Sequence, residues 1–461
     1  MNIVLVVVDS LRACSLRRGD VGAPRTPFLD RLDAETLAFR RAYASECWTL
    51  PSHMSMFTGL LPSRHGAHFQ TMAYHEPAPT IAEILAGAGY HTEVITRNSL
   101  FDGTVPGATR GFHVNTRVLA DLGWTAGPSA LVLALAKPRV RRLIESSGFF
   151  SMLQKQNRDF LFTLARMAMP ADRPVLDRAL EVMAEKRRAA RPYFLFLNLY
   201  DVNAPYSPSL TSPMRSWWTP GGWLENFMLP GVLPKVSSHA YLRPGFHISE
   251  HGRRLLLSRY HRAIELMDAK LDAFYGAARR AGLLDDTLLV VTSDHGEAFG
   301  EHELYFHDAS VYDTHLRVPL WIHHPALPPA SVDDVVATRD LFTLFGTIGL
   351  GRGVTGTILD PSTRAANPVA LAEHFHYPHT AGVLERYAQN IAAAVVGTRK
   401  LVVRREGLFQ YDLARDPEER FPDRSTVQAF EAACRRDGMP PAAIATAVAH
   451  VERWEGTAAA A

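Results

Sequence analysis

The stretch Asn2-Ile-Val-Leu-Val-Val-Val-Asp9 decides the fold class of this chain. Its apolar residues are mostly β-branched and run up to a carboxylate, a pattern typical of a strand that is buried on both faces. A secretory leader would instead carry a basic start, a longer apolar stretch and a small-residue cleavage site. We therefore predict a strand over Ile3–Val8, with Asp9 at its carboxyl end.

Apolar runs of the same kind recur along the chain and alternate with helical patterns. The predicted strands are His91–Thr96, Tyr193–Tyr200, Thr287–Thr292 and Val318–His323, and the predicted helices are Thr26–Glu35, Ile81–Ala88 and Leu255–Ala281. Buried strands separated by helices indicate an α/β fold with a mostly parallel sheet that is covered on both faces. In such sheets, ligands bind beyond the carboxyl ends of the strands.

Two long segments interrupt this pattern. Residues 120–190 are rich in Leu, Ala and Arg and predict a helical insertion, whereas residues 207–250 carry several Pro, Gly and Trp residues and predict a long loop. Long loops of this kind are often functional. We expect both segments to belong to one α/β domain over residues 1–355.

The last quarter of the chain has a different pattern. Short predicted strands over Ala392–Val396, Lys400–Val403 and Leu408–Leu413 are separated by turns. They predict a small antiparallel α+β subdomain over residues 356–461, which ends in a helix near 426–436 and a frayed, Ala-rich tail.

The composition of the 461 residues excludes several classes of protein. Hydrophobic residues make up 47% and charged residues 21%, as in globular proteins of two or three structural units. The 49 basic and 47 acidic residues give a net charge of +2, too weak to favour nucleic acid. No stretch reaches the ~18 apolar residues of a membrane span. The cysteines Cys14, Cys47 and Cys434 show neither metal-site nor redox spacing, so we expect a soluble, cytoplasmic protein.

Three carboxylates follow predicted strands. Asp9, Asp201 and Asp294 each lie at or just past a carboxyl end, and His295 comes directly after Asp294. Because these ends meet at one edge of the sheet, Asp9, Asp294 and His295 can close on one divalent cation. Oxygen ligands suit Ca²⁺ or Mg²⁺, while the imidazole moves the preference toward Mn²⁺ or Zn²⁺. A second cation would need ligands such as Asp201 or His302.

Thr49 lies in the segment Ser45–Gly59, two residues before Pro51. Pro51 suits the first turn of a helix, so Thr49 is expected at or near the helix N-terminus, where an anion is favoured. A threonine hydroxyl becomes a nucleophile when a metal or a base removes its proton. The alternative is that Thr49 only caps the helix.

Two histidines follow the Asp294 turn within the run Gly300–His307. A histidine that faces an ester oxygen can protonate the leaving group. We predict this general-acid role for His307, and a supporting role beside it for His302.

These segments together resemble the sulfatase family of the alkaline-phosphatase superfamily. The motifs that carry the resemblance run nearly end to end: residues 2–9, Thr26-Pro-Phe-Leu-Asp-Arg-Leu, Thr49-Leu-Pro-Ser-His, Asp201-Val-Asn-Ala-Pro-Tyr, Thr292-Ser-Asp-His-Gly-Glu, Arg317-Val-Pro-Leu and Tyr411-Asp-Leu-Ala-Arg-Asp-Pro-Glu-Glu. The resemblance implies a three-layer α/β sandwich, one cation at Asp9, Asp294 and His295, and attack by the residue at position 49. It also implies that Arg97 lies where many members have a Lys that binds a metal-side oxygen, and that His307 lies close to where the family has a Lys or His on the substrate oxygen.

Several positions depart from the family pattern. The family carries Cys or Ser at position 49 and converts it to formylglycine, whereas oxidation of Thr49 would give a ketone and no aldehyde. Cys47 is out of register, since it would need Pro at position 49. The family's Arg, second Asp and two His are replaced here by His53, Ser10, Ser99 and Asn203.

Threonine nucleophiles in this superfamily belong largely to phosphodiesterases, phosphonate monoester hydrolases and phospho-group transferases. We therefore predict a metal-dependent hydrolase or transferase that cleaves a small phosphate or phosphonate ester through a Thr49 intermediate. His53, Arg97 and Asn203 would steady the anion. The alternatives are a sulfate-ester hydrolase that works without formylglycine, and a binding homologue without catalysis.

Overall fold

The computed structural model describes residues 1–16, 22–117, 172–204, 206, 242, 244–307, 309–376 and 383–458. Most of the predicted helical insertion, up to residue 171, lies outside the described residues. The predicted loop does so over residues 207–241 and at residue 243.

The strands before residue 340 form two sheets. In chain order they are β1 (Asn2–Val8), β2 (Leu37–Tyr43), β3 (His91–Thr96), β4 (Val114–Arg117), β5 (Tyr193–Leu199), β6 (Thr287–Thr292), β7 (Ala298–Phe299), β8 (Tyr305–Phe306), β9 (Arg317–His323) and β10 (Ala330–Ala337). Eight of them form one sheet in the order β10-β2-β9-β6-β1-β5-β3-β4, and β7 pairs with β8.

The central strand is β1, as its sequence predicts. Every residue of β1 is buried, and β1 pairs in parallel with β5 on one side and β6 on the other. Strand β9 pairs antiparallel with both β6 and β2, whereas the other pairings of this sheet are parallel. The mostly parallel sheet is therefore confirmed, and the carboxyl ends of β1, β3, β5 and β6 lie at the same edge.

Helices cover both faces of this sheet. The described helices are Pro27–Glu35, Thr49–Thr58, Pro62–His65, Ile81–Gly87, Arg173–Arg188, Glu250–Arg280, Asp313–Leu316, Leu341–Gly349, Pro361–Ala366, Val427–Arg436 and Pro441–Ala458. Alternate residues of β1 point to opposite faces, so Val4, Val6 and Val8 pack with Glu250–Arg280 while Ile3, Leu5 and Val7 pack with Thr49–Thr58. Each such buried aliphatic side chain stabilises the fold by about 1.5–3 kcal/mol.

The predicted antiparallel sheet is also confirmed. It consists of β11 (Val369–His374), β12 (Ile391–Val396), β13 (Arg399–Arg404), β14 (Gly407–Asp412) and β15 (Asp423–Arg424), paired in that order. One face packs against the two C-terminal helices.

The prediction of a frayed, Ala-rich tail is wrong for residues 441–458, whereas residues 459–461 lie outside the described part of the chain. Residues Pro441–Ala458 form a helix, and its residues Ile444, Ala447, Val451 and Trp454 are buried against β11 and β12. These residues recur at helical spacing, and the small alanines between them allow the helix to approach the sheet closely.

The contacts that attach the small sheet to the α/β domain include a backbone hydrogen bond and a buried ion-pair cluster. The backbone N–H of Glu373 in β11 donates to the carbonyl of Ser45 at 2.9 Å. The buried ammonium of Lys400 pairs with Asp313 at 2.8 Å and with Glu419 at 2.7 Å.

Among the described helices, none combines the length and the apolar character needed to cross a membrane.

Candidate active site

The carboxyl edge of the large sheet brings together Asp9, Asp294 and His295, which we call the Asp294 cluster. All three side chains are completely buried, and one ligand atom from each lies within 4.8 Å of the others. His295 Nε2 is 3.3 Å from Asp294 Oδ2 and 3.8 Å from Asp9 Oδ1. The three residues that the sequence suggests as metal ligands therefore meet at one point.

Tight turns after β1 and β6 hold this cluster. Ser10 has a positive φ of 66°, and its backbone N–H donates to Asp294 Oδ1 at 3.1 Å. A non-glycine residue in this conformation costs on the order of 1 kcal/mol, so the surrounding contacts must maintain it. Position 296 requires glycine because a Cβ there would lie 2.0 Å from the carbonyl oxygen of Thr314.

Among the described residues, the ion-pair partners of the two carboxylates in the Asp294 cluster are the imidazoles of His295 and His53, and no lysine or arginine pairs with them. The Asp9 carboxylate accepts hydrogen bonds from neutral groups, namely Ser10 Oγ at 3.1 Å, Asn98 Nδ2 at 3.3 Å and Asn203 Nδ2 at 2.5 Å. Asp294 Oδ2 is buried and accepts no hydrogen bond from the described part of the chain. Because a buried, unpaired carboxylate is costly, these residues fit a bound cation.

The pKa values within the cluster reflect the burial of two carboxylates close to each other. Burial, together with repulsion from Asp9, raises the pKa of Asp294 to about 7. Burial alone would lower the pKa of His295, but the carboxylates of Asp294 and Asp9 raise it above its ordinary value. A divalent cation at this point would relieve the repulsion between the two carboxylates.

The tautomer of His295 leaves one nitrogen available to a cation. His295 Nδ1–H donates to the carbonyl of Gly296 at 2.9 Å. This bond directs the lone pair of Nε2 toward the cluster, as metal-binding histidines require.

Thr49 reaches the cluster from the start of the helix Thr49–Thr58. Its Oγ1 lies 3.2 Å from His295 Nε2. Trp48, in an extended conformation, is the N-cap residue, and no side-chain capping bond is made. Ser52 Oγ donates to the carbonyl of Asp294 at 2.6 Å and anchors the helix. Thr49 is therefore not the capping residue, and it faces the cluster at a helix N-terminus that favours an anion.

His307 also comes close to the cluster. Its ring stacks on His295 with 4.4 Å between centroids, and its Nδ1 is hydrogen-bonded to the Glu297 carboxyl, whose two oxygens lie at 3.1 and 3.2 Å. Burial raises the pKa of Glu297 to about 8. Sequence reasoning assigned no role to Glu297, although it stands in the motif Ser293-Asp-His-Gly-Glu297.

His53 lies behind the cluster in an aromatic environment. Its Nδ1 donates to the carbonyl of Thr49 at 2.7 Å and is 3.6 Å from Asp294 Oδ2, while its ring contacts Phe101 and Phe196. Burial lowers the pKa of His53 to about 4, so the imidazole is neutral. It therefore brings no positive charge to an anion.

Arg97 and Asp201 are engaged in an ion-pair network beside the cluster. Arg97 Nε pairs with Asp172 at 2.5 Å, its Nη2 pairs with Asp201, and Lys270 pairs with the other oxygen of Asp201. The Arg97 charge is thus directed to two carboxylates. Asn98, which the sequence analysis did not single out, contacts Asp9 instead.

His302 is separate from the residues above. Its ring stacks on Tyr312 with 3.6 Å between centroids, and it lines a cleft with Glu301 and Asp313. The structure thus brings Thr49, His307, His53 and Asn203 to the Asp294 cluster. Asp201 pairs with Arg97 and Lys270, and His302 stacks on Tyr312, so neither residue joins a group of potential metal ligands within the described ranges.

Comparisons with known proteins agree with this architecture. The family described as Sulfatase matches residues 1–348. Choline-sulfatase of Rhizobium meliloti (strain 1021) is 25% identical over 91% of this chain and 80% of its own length. Arylsulfatase K of Bos taurus is 26% identical over 78% of this chain and 65% of its own length.

A solved structure gives a similar result at the level of fold. The crystal structure of a phosphonate monoester hydrolase of Agrobacterium radiobacter superimposes with a TM-score of 0.63 at 18% identity. The match covers 95% of this chain and 93% of that chain. It supports the three-layer α/β architecture.

Proposed function

The chain belongs to the sulfatase family, and from this premise we propose that it is a metal-dependent hydrolase or transferase that cleaves a phosphate or phosphonate ester. The observation that carries the proposal is the position of Thr49, whose hydroxyl meets His295 at the start of a helix. A hydroxyl at this point can attack phosphorus directly, with no prior oxidation of the side chain.

Asp9, Asp294 and His295, with Thr49, would hold the divalent cation. Carboxylate oxygens and one imidazole suit Mn²⁺ or Zn²⁺, and Mg²⁺ or Ca²⁺ remain compatible with the oxygen ligands. When bound, the cation supplies Lewis-acid polarisation of an ester oxygen and lowers the pKa of the Thr49 hydroxyl.

The residues of the chain then divide the chemistry. The Thr49 hydroxyl loses its proton to solvent, and its Oγ1 attacks phosphorus. The bond from phosphorus to the ester oxygen breaks, and His307 donates a proton to the departing oxygen. Glu297 orients the His307 ring through its bond to Nδ1. Water or an alcohol next attacks the phosphoryl group on Thr49 and restores the hydroxyl, which distinguishes a hydrolase from a transferase.

The second candidate function is hydrolysis of a sulfate ester. The relatives named choline-sulfatase and arylsulfatase K favour it. Formylglycine chemistry is closed to Thr49, because its β-carbon carries a methyl group. A sulfatase activity here would need direct displacement at sulfur by the Thr49 hydroxyl or by water.

Matched aryl esters separate these functions. Metal-reconstituted protein is assayed on an aryl sulfate, a phosphate monoester, a phosphodiester and a phosphonate monoester that share one leaving group. We expect the phosphorus esters to be turned over faster, with a phosphoryl group trapped on the Thr49 peptide after acid quenching.

Two variants of Thr49 complete the test. Thr49→Ala should lose both turnover and the trapped phosphoryl group, whereas Thr49→Ser, which keeps a hydroxyl, should retain both in part. Full activity in Thr49→Ala, or a clear preference for sulfate, contradicts the proposal. Absence of turnover on all four esters, with metal bound, favours a binding homologue.

A further inference from the structure

A second group of potential metal ligands lies where the C-terminal sheet meets the connection that follows β2. It consists of Glu46, Cys47 and His374, which we call the Cys47 cluster. Their side chains are at most 1% exposed. Cys47 Sγ is 3.2 Å from Glu46 Oε1 and 3.4 Å from His374 Nδ1, and Glu46 Oε1 is 2.7 Å from His374 Nδ1.

The geometry of the Cys47 cluster differs from that of an acid–base relay. A relay through histidine uses both ring nitrogens, one toward the carboxylate and the other toward the nucleophile. Here the carboxylate and the thiol approach the same nitrogen, Nδ1 of His374. A carboxylate, a thiol and an imidazole that converge on one point form the ligand set of a metal ion.

Unsatisfied polar atoms in the same cluster point to a missing ligand. Glu46 Oε2 is buried and makes no hydrogen bond with the residues that the structure describes. The neighbouring Ser45 Oγ is in the same situation. A buried carboxylate needs a compensating cation, and within the described ranges Glu46 pairs with the imidazole of His374, which supplies a charge only when it is protonated.

We propose that Glu46, Cys47 and His374 bind a Zn²⁺ ion distinct from the cation at the Asp294 cluster. Ligand atoms around tetrahedral zinc lie about 3.3–3.6 Å apart, given Zn–S of about 2.3 Å and Zn–N of about 2.0 Å. The two distances from Cys47 Sγ, 3.2 and 3.4 Å, are close to this range. The hydrogen-bonded 2.7 Å pair opens by about 0.6 Å on binding.

The protons balance in a simple way. Binding releases the thiol proton of Cys47 and moves the imidazole proton of His374 from Nδ1 to Nε2. Three protein ligands leave the fourth position to water. The thiolate makes this site selective for zinc over magnesium and calcium, which prefer oxygen ligands.

The location of the site indicates its role. Glu46 and Cys47 lie on the connection from β2 to the helix Thr49–Thr58, and His374 is the last residue of β11. A metal bound here fastens the C-terminal sheet to the segment that presents Thr49, next to the backbone bond between Glu373 and Ser45. The inference is independent of the ester that the enzyme cleaves.

Cobalt substitution distinguishes the two clusters. A Co²⁺–thiolate bond gives a charge-transfer absorption in the near ultraviolet, and the Asp294 cluster contains no sulfur. The full chain loaded with Co²⁺ should show this band, and Cys47→Ser and His374→Ala should lose it. Cys14→Ser and Cys434→Ser serve as matched controls and should keep it. Absence of the band in the wild type, or its survival in Cys47→Ser, overturns the proposal.

A measurement on the unmodified chain covers the case in which a variant does not fold. X-ray absorption of the zinc-loaded wild type should show sulfur at about 2.3 Å, with about half a sulfur per bound zinc because one of the two sites contains the thiolate. In Asp294→Asn, which weakens the other cluster, the sulfur contribution per zinc should increase about twofold. A zinc environment of nitrogen and oxygen alone refutes the site.

Discussion

The Asp294 cluster and the Cys47 cluster are equally buried, yet their surroundings differ. Reacting groups converge on the first: the Thr49 hydroxyl at a helix start and the His307 imidazole stacked on His295. The second lies between the connection from β2 to the helix Thr49–Thr58, which contains Glu46 and Cys47, and the end of β11, which contains His374. We infer that the Asp294 cluster is catalytic, whereas the Cys47 cluster has the structural role of attaching the C-terminal sheet.

The donor atoms support the same division. Carboxylates, an imidazole and a hydroxyl bind a cation that can exchange ligands with an ester oxygen. A thiolate holds zinc firmly and neutralises part of its charge, which suits a structural ion. Burial of three ligands is therefore not enough to identify a catalytic site, because groups that can react must also reach the metal.

The largest expected effect comes from Asp294→Asn. It removes a charge from the cation site, and a catalytic metal stabilises the transition state by several kcal/mol, so turnover should fall at least about a thousandfold. Steady-state kinetics and metal analysis measure this loss. The matched control Asp333→Asn changes an exposed aspartate of β10 and should have little effect. If Asp294→Asn also abolishes the cobalt–thiolate band, the Asp294 cluster and the Cys47 cluster are not independent metal sites.

His307→Gln should produce the next largest effect, and the effect should depend on the leaving group. A general acid contributes about 10²–10⁴-fold when the departing oxygen needs a proton. Turnover of an alkyl ester should fall by about this factor, while a nitrophenyl ester should be affected much less. His251→Gln, at an exposed position of the long helix, is the control. Equal losses on both esters would show that His307 only supports the structure.

The sequence predicted the Asp294 cluster because parallel strands deliver their carboxyl ends to one edge. Asp9 and Asp294 follow β1 and β6, which are neighbours in the sheet. The order of the strands predicts neither the Cys47 cluster nor the ion pair between Arg97 and Asp172. His374 is 327 residues from Cys47 and lies in the other sheet, so no local spacing reveals the contact.

The same limit explains the C-terminal error. The hydrophobic pattern alone did not distinguish the helix Pro441–Ala458 from a disordered tail, because its alanines are only weakly hydrophobic. The helix is buried through its contacts with β11 and β12, which the sequence does not reveal. Glu297 illustrates a different difficulty. Its motif was visible, but its bond to His307 depends on the turn formed by β7 and β8.

Glu46→Gln should separate the second cluster from the first. Zinc at a hundred times its dissociation constant stabilises a native state by about 2.7 kcal/mol, and the variant should lose most of this gain. Thermal unfolding with and without added zinc measures the difference, and Glu385→Gln, at an exposed position shortly before β12, provides a control. Turnover by Glu46→Gln should stay within about tenfold of the wild type. A thousandfold loss of turnover would assign the Cys47 cluster to catalysis.

The smallest effect concerns His65, which packs behind the helix that carries Thr49 and belongs to neither cluster. Its Nδ1 accepts from the backbone N–H of Ala67 at 3.1 Å, and its Nε2 is 3.1 Å from Ser55 Oγ. Burial lowers the pKa of His65 to about 3, since protonating Nδ1 would also break the bond from Ala67. Between about pH 6.5 and pH 3 the unfolded chain therefore binds a proton that the native chain does not, and stability decreases as the pH falls.

The His65 contribution can be measured as a slope. One proton corresponds to about 1.4 kcal/mol of unfolding free energy per pH unit, so His65→Gln should flatten the dependence between pH 5 and 4 by about this amount. Urea unfolding at several pH values gives the slope, and His251→Gln, at an exposed position of the long helix, should leave it unchanged. An unaltered slope in His65→Gln would place the acid sensitivity in the carboxylates and imidazoles of the two clusters. Only after this subtraction does the remaining pH dependence report on the clusters themselves.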